Sequence, residues 1–156
     1  MSKICCFTGH RTLGKMLTPE LYNKTKKLIL DLVDEGYTDF RAGGAIGFDT
    51  LAATCVLDVK TQRPDVKLHL ILPCKDQDKK FSKFDKKFYR YTVAKADTVT
   101  YIQERYTTGV MQARNLALVE GSGICVACLA HLSGGTYQTV KMARQRGIKV
   151  INVLKK

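Results

Sequence analysis

The feature that most constrains the fold is a regular alternation of short apolar, β-rich runs with longer helical patterns. This alternation is typical of a parallel sheet whose strands are connected by covering helices. Strands are predicted at 3–9, 39–43, 67–73, 97–102, 123–130 and 149–154. We therefore expect an α/β fold with an open, mainly parallel sheet of about six strands and helices on both faces.

Helix start and stop signals divide the segments between these strands. Thr18 can cap a helix that has Pro19 at its first position and that ends near Gly36. A second helix is predicted from about Gly47 to just before Pro64, and further helices are predicted over about 78–95, 109–121 and 136–146. The 156 residues contain no repeat and no linker, so we expect a single domain.

Composition and charge narrow the class of protein. No run approaches the roughly 20 apolar residues that cross a bilayer, and the first residues do not resemble a secretory signal, so a cytoplasmic protein that binds no membrane is expected. The six cysteines lie mostly in strand-like or helical runs, and Cys125-x-x-Cys128 has no second pair, which favours reduced, packed thiols and no metal site. The net charge of +12 favours an anionic partner, either a nucleotide or a nucleic acid.

Three loops rich in glycine and polar residues follow predicted strands. In an open parallel sheet, ligands bind at the carboxyl ends of the strands, where helices begin with free N–H groups. The first loop, TGHRTLG, offers Thr8, Gly9, His10 and Arg11. Gly9 allows the backbone to approach a ligand, and His10 and Arg11 carry donors suited to phosphate. The alternative is a simple turn with exposed polar residues.

The second loop, AGGAIGFD, opens the second predicted helix. Its candidate ligand-binding residues are Gly43, Gly44, Ala45, Gly47 and Asp49. The glycines permit a close backbone approach, and the helix start favours an anion. Asp49 either accepts hydrogen bonds from ribose hydroxyls or caps the helix.

The third loop, SGGTYQT, follows the fifth predicted strand. Its candidate residues are Ser133, Gly134, Gly135, Thr136 and Thr139. Glycines and hydroxyls at a helix start either hold a phosphate or only cap the helix. Because all three loops are expected at one edge of the sheet, together they predict a nucleotide-sized pocket.

A basic segment, CKDQDKKFSKFDKKFYRY, precedes the fourth predicted strand. Its aromatic residues Phe81, Phe84, Phe88 and Tyr91 recur at helical spacing. This spacing favours a buried helix stripe with the lysines on the solvated face. Stacking of nucleic-acid bases on the aromatic rings is the alternative.

Five motifs in order, CCFTGHR, GGAIGFDTLAA, LPCKDQ, MQARN and SGGTYQT, resemble the YpsA-like family of the SLOG superfamily. The resemblance spans Cys5 to Leu154. It implies a Rossmann-like fold and a pocket for a nucleotide or a nucleotide-derived ligand, such as an NAD-, ADP-ribose- or cyclic-nucleotide-type molecule, with no required cofactor. It also implies self-association as a dimer or a higher homo-oligomer.

The LOG-type nucleotide phosphoribohydrolases of the superfamily allow two motifs to be compared residue by residue. MQARN is similar to their M-x-x-R-K element, which implies a ligand-binding role for Arg114, whereas Asn115 stands in place of the lysine. Thr139 aligns with the glutamate that promotes cleavage of the N-glycosidic bond. Threonine supplies no carboxylate for that step, so binding without catalysis is favoured and hydrolysis is the alternative.

The DNA-processing protein A of the same superfamily provides a further comparison. Its S-G-x-A-x-G-I-D and S-G-S/T-x-x-T-A elements are similar to AGGAIGFD and SGGTYQT. This similarity implies binding of single-stranded DNA or RNA as another alternative, with which the basic charge agrees.

Overall fold

The structure is a computed structural model that describes residues 3–154. Its strands form one sheet: β1 (Ile4–Gly9), β2 (Asp39–Ala42), β3 (Lys67–Cys74), β4 (Thr98–Gln103), β5 (Ile124–Cys128) and β6 (Lys149–Asn152). The order across the sheet is β4-β3-β2-β1-β5-β6, and every neighbouring pair is parallel. The predicted Rossmann-like α/β sheet is confirmed.

Five helices connect the strands: α1 (Pro19–Asp34), α2 (Phe48–Lys60), α3 (Lys83–Lys95), α4 (Val110–Val119) and α5 (Gly134–Gln145). As predicted, Thr18 caps α1, because its Oγ1 accepts a hydrogen bond from the N–H of Leu21 at 3.1 Å. The predicted start of the third helix near residue 78 is wrong. The helix begins at Lys83 because the Ser82 hydroxyl accepts from the N–H of Asp85 at 3.1 Å and caps the chain there.

The helices cover both faces of the sheet. α1, α2 and α3 pack together over one face, and α4 packs against α5 over the other. Cys5 belongs to the larger core under α1 and α2, whereas Cys6 belongs to a smaller core with Leu118 and Ala143. The adjacent thiols therefore point to opposite faces, and all six cysteines are buried and unbridged, as expected.

The helix α3 corrects the prediction of a buried aromatic stripe. The side chains of Phe84 and Tyr91 are 68% and 47% exposed, while Tyr89 and Thr92 are buried. Tyr89 takes the inner position because its ring meets Phe81 edge-on, with ring centroids 5.6 Å apart. The inner face of α3 is therefore rotated away from Phe84 and Tyr91, which lie among exposed lysines.

The strand order reverses direction at β1. Strands β2, β3 and β4 extend the sheet on one side of β1, and β5 and β6 extend it on the other. The chain leaves β1 toward α1 on one face and leaves β5 toward α5 on the other face. Because these two connections diverge, a crevice opens at the carboxyl ends of β1 and β5. Within residues 3–154, no helix has both the length and the apolar character to cross a membrane.

Candidate functional site

A cleft of about 480 Å³ lies at the carboxyl ends of β1 and β5, and we refer to it as the switch-point cleft. Its volume falls within the range of small-molecule pockets, about 300–1,000 Å³. The structure brings together here twelve of the predicted residues: Thr8, Gly9, His10, Arg11, Ala45, Asp49, Arg114, Asn115, Ser133, Gly134, Gly135 and Thr136. Four further residues line it that were not proposed as ligand contacts: Thr12, Met111, Leu118 and His131.

His10 ties the first loop to the segment after β5. Its Nε2 accepts a hydrogen bond from the N–H of Ala130 at 2.8 Å, so the ring proton is on Nδ1. The His10 ring also stacks on His131, with centroids 4.1 Å apart. Burial, and then the proximity of His131, lowers the pKa of His10 and favours the neutral ring. Nε2 of His10 therefore holds the loop in place, and the N–H at Nδ1 is the group of this ring that can donate to a ligand.

The first two loops pack directly on one another. A Cβ at Gly9 would lie closer than 3.0 Å to the Phe48 side chain, and a Cβ at Gly47 would lie equally close to the backbone of His10 and Arg11. Gly47 also has φ +81°, and the N–H of Phe48 donates to the carbonyl of His10 at 3.1 Å. Gly43, Gly44 and Gly47 lie behind the wall of the cleft and do not line it.

Arg114 projects from α4 to the back of the cleft and is only 5% exposed. Its Nη1 donates to the carbonyl of Gly43, and its Nε donates to Oδ1 of Asn115 at 2.9 Å. Because Oδ1 of Asn115 accepts this bond, the two N–H groups of the same amide are left as donors. Burial lowers the pKa of Arg114, yet a guanidinium stays protonated at neutral pH, so a fixed positive charge is buried beside the cleft.

Asp49 is the carboxyl group next to Arg114, and it too is buried, with 5% exposure. Its Oδ2 accepts from the N–H of Ala45 at 3.3 Å, and its Oδ1 has no hydrogen-bond partner among the described residues. Burial raises the pKa of Asp49 to about 6, although Arg114 and the Ala45 N–H pull it down. Asp49 therefore gains a proton more readily than an ordinary carboxyl, and it holds the second loop through Ala45.

The third loop presents the start of α5 to the cleft. Ser133 is the residue before the helix, and its side chain makes no capping hydrogen bond. Apart from the adjoining residues and the backbone of α5 itself, no atom of residues 3–154 lies within 4 Å of a Cβ placed on Gly134 or Gly135, so the backbone here is open. Thr139 lies one turn further on, 1% exposed and outside the cleft lining, with its hydroxyl donating to the Gly135 carbonyl at 2.9 Å.

A second cleft of about 480 Å³ adjoins the first, and we refer to it as the β3–β4 cleft. It lies between the segments that follow β3 and β4, and it shares Arg11, Ala45 and Met111 with the switch-point cleft. Its other walls include Phe81 and Tyr106. The two clefts therefore lie side by side along the carboxyl edge of the sheet, with the three shared residues between them.

Comparison with known proteins agrees with this architecture. The family model described as "YspA SLOG family" matches residues 5–146. The uncharacterized SPbeta prophage-derived protein YoqJ of Bacillus subtilis is 27% identical, over 78% of this chain and 81% of that protein. The matched family is the one that the five sequence motifs resemble.

Two solved structures share the fold. DNA processing protein A from Helicobacter pylori, reported for its single-stranded DNA binding mode, has a TM-score of 0.69 and 20% identity, over 96% of this chain and 64% of that one. DNA processing protein A from Streptococcus pneumoniae has a TM-score of 0.64 and 18% identity, over 95% of this chain and 50% of that one. The present chain thus spans only part of these larger proteins.

Proposed function

Because the chain belongs to the YpsA family of SLOG proteins, we propose that it binds a nucleotide or a nucleotide-derived anion in the switch-point cleft. The observation that carries this proposal is the buried guanidinium of Arg114, which lines the same cleft as the open start of α5. Asp49 offsets part of this charge, and a phosphate suits both the guanidinium and a helix N-terminus.

The electrostatics of the cleft favour an anion. Arg11 and Arg114 both line this cleft, and the one carboxyl that lines it among the described residues is Asp49. With a pKa of about 6, Asp49 is mostly ionised at neutral pH, so two guanidinium charges face one carboxylate. The N–H groups of Asn115 and the first N–H groups of α5 add neutral donors. The net charge of +12 also raises the local concentration of anions around the protein.

A panel of nucleoside mono- and diphosphates tests the proposal by thermal shift and titration calorimetry. Replacing Arg114 with methionine should weaken binding by about 10- to 100-fold, because it removes the free-energy contribution of one or two hydrogen bonds to a charged group. Arg63→Met is the matched control, since the Arg63 side chain lies at the surface, outside the cleft, in an ion pair with Asp34 at 2.9 Å. Failure of the whole panel to stabilise the folded protein, or equal losses in the two variants, would refute the proposal.

The same panel separates binding from LOG-type hydrolysis. Thr139, which stands in place of the hydrolase glutamate, is buried and uses its hydroxyl within α5. Of the acidic side chains in the described residues, only Asp49 lines the switch-point cleft. Mass analysis after incubation should recover the nucleotide unchanged. Release of free base that disappears in Asp49→Ala would instead establish an enzyme.

A second candidate function, binding of single-stranded nucleic acid, is favoured by the exposed face of α3. Phe84 and Tyr91 are exposed on this helix, near the exposed lysines Lys79, Lys80, Lys83, Lys87 and Lys95. Exposed aromatic rings among cations suit stacked bases and a phosphate backbone. The structural neighbour from Helicobacter pylori is described with a single-stranded DNA binding mode, which agrees with this candidate.

Titration of a fluorescent oligonucleotide at several salt concentrations tests the second candidate. Affinity should fall steeply with salt, because binding releases about 0.7 counterion for each neutralised phosphate of a single strand. Phe84→Ala should weaken binding by about 5- to 100-fold, because it removes the free energy of stacking one base on the ring. Leu116→Ala removes an exposed apolar side chain from α4 and should have no effect. No complex at low salt would eliminate this candidate.

A further inference from the structure

The two adjoining clefts differ in the chemistry of their walls. The switch-point cleft contains a buried cation, Arg114, beside Asn115 and the start of α5. The β3–β4 cleft combines aromatic side chains, Phe81 and Tyr106, with exposed charged ones that include two lysines. The first set of groups suits phosphate, and the aromatic groups of the second suit a flat ring.

Arg11 stands where the clefts meet. It is exposed and lines both of them, together with Ala45 and Met111. A ligand that entered both clefts would pass directly by its guanidinium, whose planar donors match the oxygens of a phosphate. The junction is therefore a position for a phosphate bridge between two larger groups.

Tyr106 is the most exposed aromatic wall of the β3–β4 cleft. Its segment is held in place, since the N–H of Lys75 donates to the carbonyl of Glu104 at 3.1 Å and the Lys75 amine pairs with the Glu104 carboxylate at 3.0 Å. The Tyr106 side chain nevertheless remains 63% exposed at the mouth of the cleft. An exposed ring at this position is available to stack on a ligand ring.

If the proposed nucleotide binding holds, on which this inference rests, we infer that the ligand is a phosphate-bridged dinucleotide. One nucleoside and its phosphate occupy the switch-point cleft, the bridge passes Arg11, and the ring of the second nucleoside enters the β3–β4 cleft against Tyr106. Each cleft of about 480 Å³ accommodates one nucleoside-sized group, so the pair recognises two such groups.

Calorimetric titration of ADP, GDP and UDP against the corresponding dinucleoside diphosphates tests the inference. Each pair shares a diphosphate and differs in the second nucleoside, and the mononucleotide carries the greater negative charge, so simple charge attraction favours the mononucleotide. At least one dinucleotide should bind about tenfold or more tightly than its mononucleotide. Tyr106→Ala should weaken the binding of that dinucleotide by about 5- to 100-fold and leave the affinity for the mononucleotide unchanged.

The control variant is Leu116→Ala, because Leu116 is also an exposed apolar side chain but lies outside both clefts. Its affinities should match those of the natural protein, and circular dichroism should show both variants folded. Equal affinity for mononucleotides and dinucleotides, with no effect of Tyr106→Ala, would overturn the inference and leave the proposed function intact. No binding of any of these probes by the folded protein would overturn both.

Discussion

Replacement of Asp49 by asparagine should make the protein more stable above pH 6. Asparagine keeps the shape of the side chain and an oxygen that accepts from the N–H of Ala45, which Asp49 contacts at 3.3 Å. It removes the buried charge and places an NH2 group where Asp49 has its unpartnered Oδ1. An ionised carboxyl in this position opposes folding even with Arg114 nearby.

The pKa of Asp49 sets the size of the effect. The value rises from an ordinary 3.8 to about 6 in the folded protein. Such a difference corresponds to about 3 kcal/mol of unfolding free energy. An acid whose pKa is raised by folding costs nothing below its unfolded pKa, because both states are then protonated. The cost develops as the pH rises from about 4 to about 6 and is complete above that range.

Urea unfolding of both proteins at a series of pH values measures this cost. The free energy of unfolding of Asp49→Asn minus that of the natural protein should increase by about 2 kcal/mol between about pH 4.5 and about pH 8. Other titrating groups cancel in the difference, and a constant offset reports the effect of the amide itself. A difference that is flat with pH would refute the reasoning. A difference that falls with pH would show that Arg114 makes the ionised form the preferred one.

Three other predictions address the loops around the cleft. Gly47→Ala should lower the free energy of unfolding by more than about 3 kcal/mol in a urea titration, because backbone strain at positive φ adds to a collision with the first loop. Gly134→Ala introduces the backbone strain without a collision, so it should lower the free energy of unfolding by about 1–2 kcal/mol. Nitrogen NMR near pH 7 should find His10 neutral with its proton on Nδ1, and a proton on Nε2 would contradict the bond from Ala130. Thr139→Glu should lower the melting temperature without creating nucleotide hydrolysis, since it forces a carboxylate into a buried helix position.

The positions of most helices and strands could be predicted because local signals and the global fold agree. Thr18 and Pro19 mark the start of α1 in the sequence and in the structure. The start of α3 also has a local signal, since Ser82 and Asp85 have the spacing of a capping pair. Its aromatic stripe could not be assigned from periodicity, because Tyr89 and Thr92 define a competing stripe on the same helix. Contacts with Phe81 and the core, which only the fold determines, select that second stripe.

The three loops could be predicted to lie together, because loops that follow parallel strands meet at one edge of the sheet. The residues that complete the cleft could not be predicted in this way. Met111 and Leu118 line it, yet apolar residues in a helix are ordinarily read as core. The role of His10 depends on Ala130, which lies 120 positions away in the chain. Such long-range partners have no local pattern that would identify them.

The glycines show most clearly how tertiary structure divides residues that look alike in sequence. Gly9 and Gly47 are required because the chain packs on itself, since any side chain there would collide with Phe48 or with the first loop. Gly134 and Gly135 meet nothing within 4 Å, so packing does not require them. The space beside them belongs to the cleft that Arg114 also lines. The first two loops are thus the packed wall of the site. In the third loop positive φ accounts for Gly134, and Gly135 is the glycine that an approaching phosphate explains best.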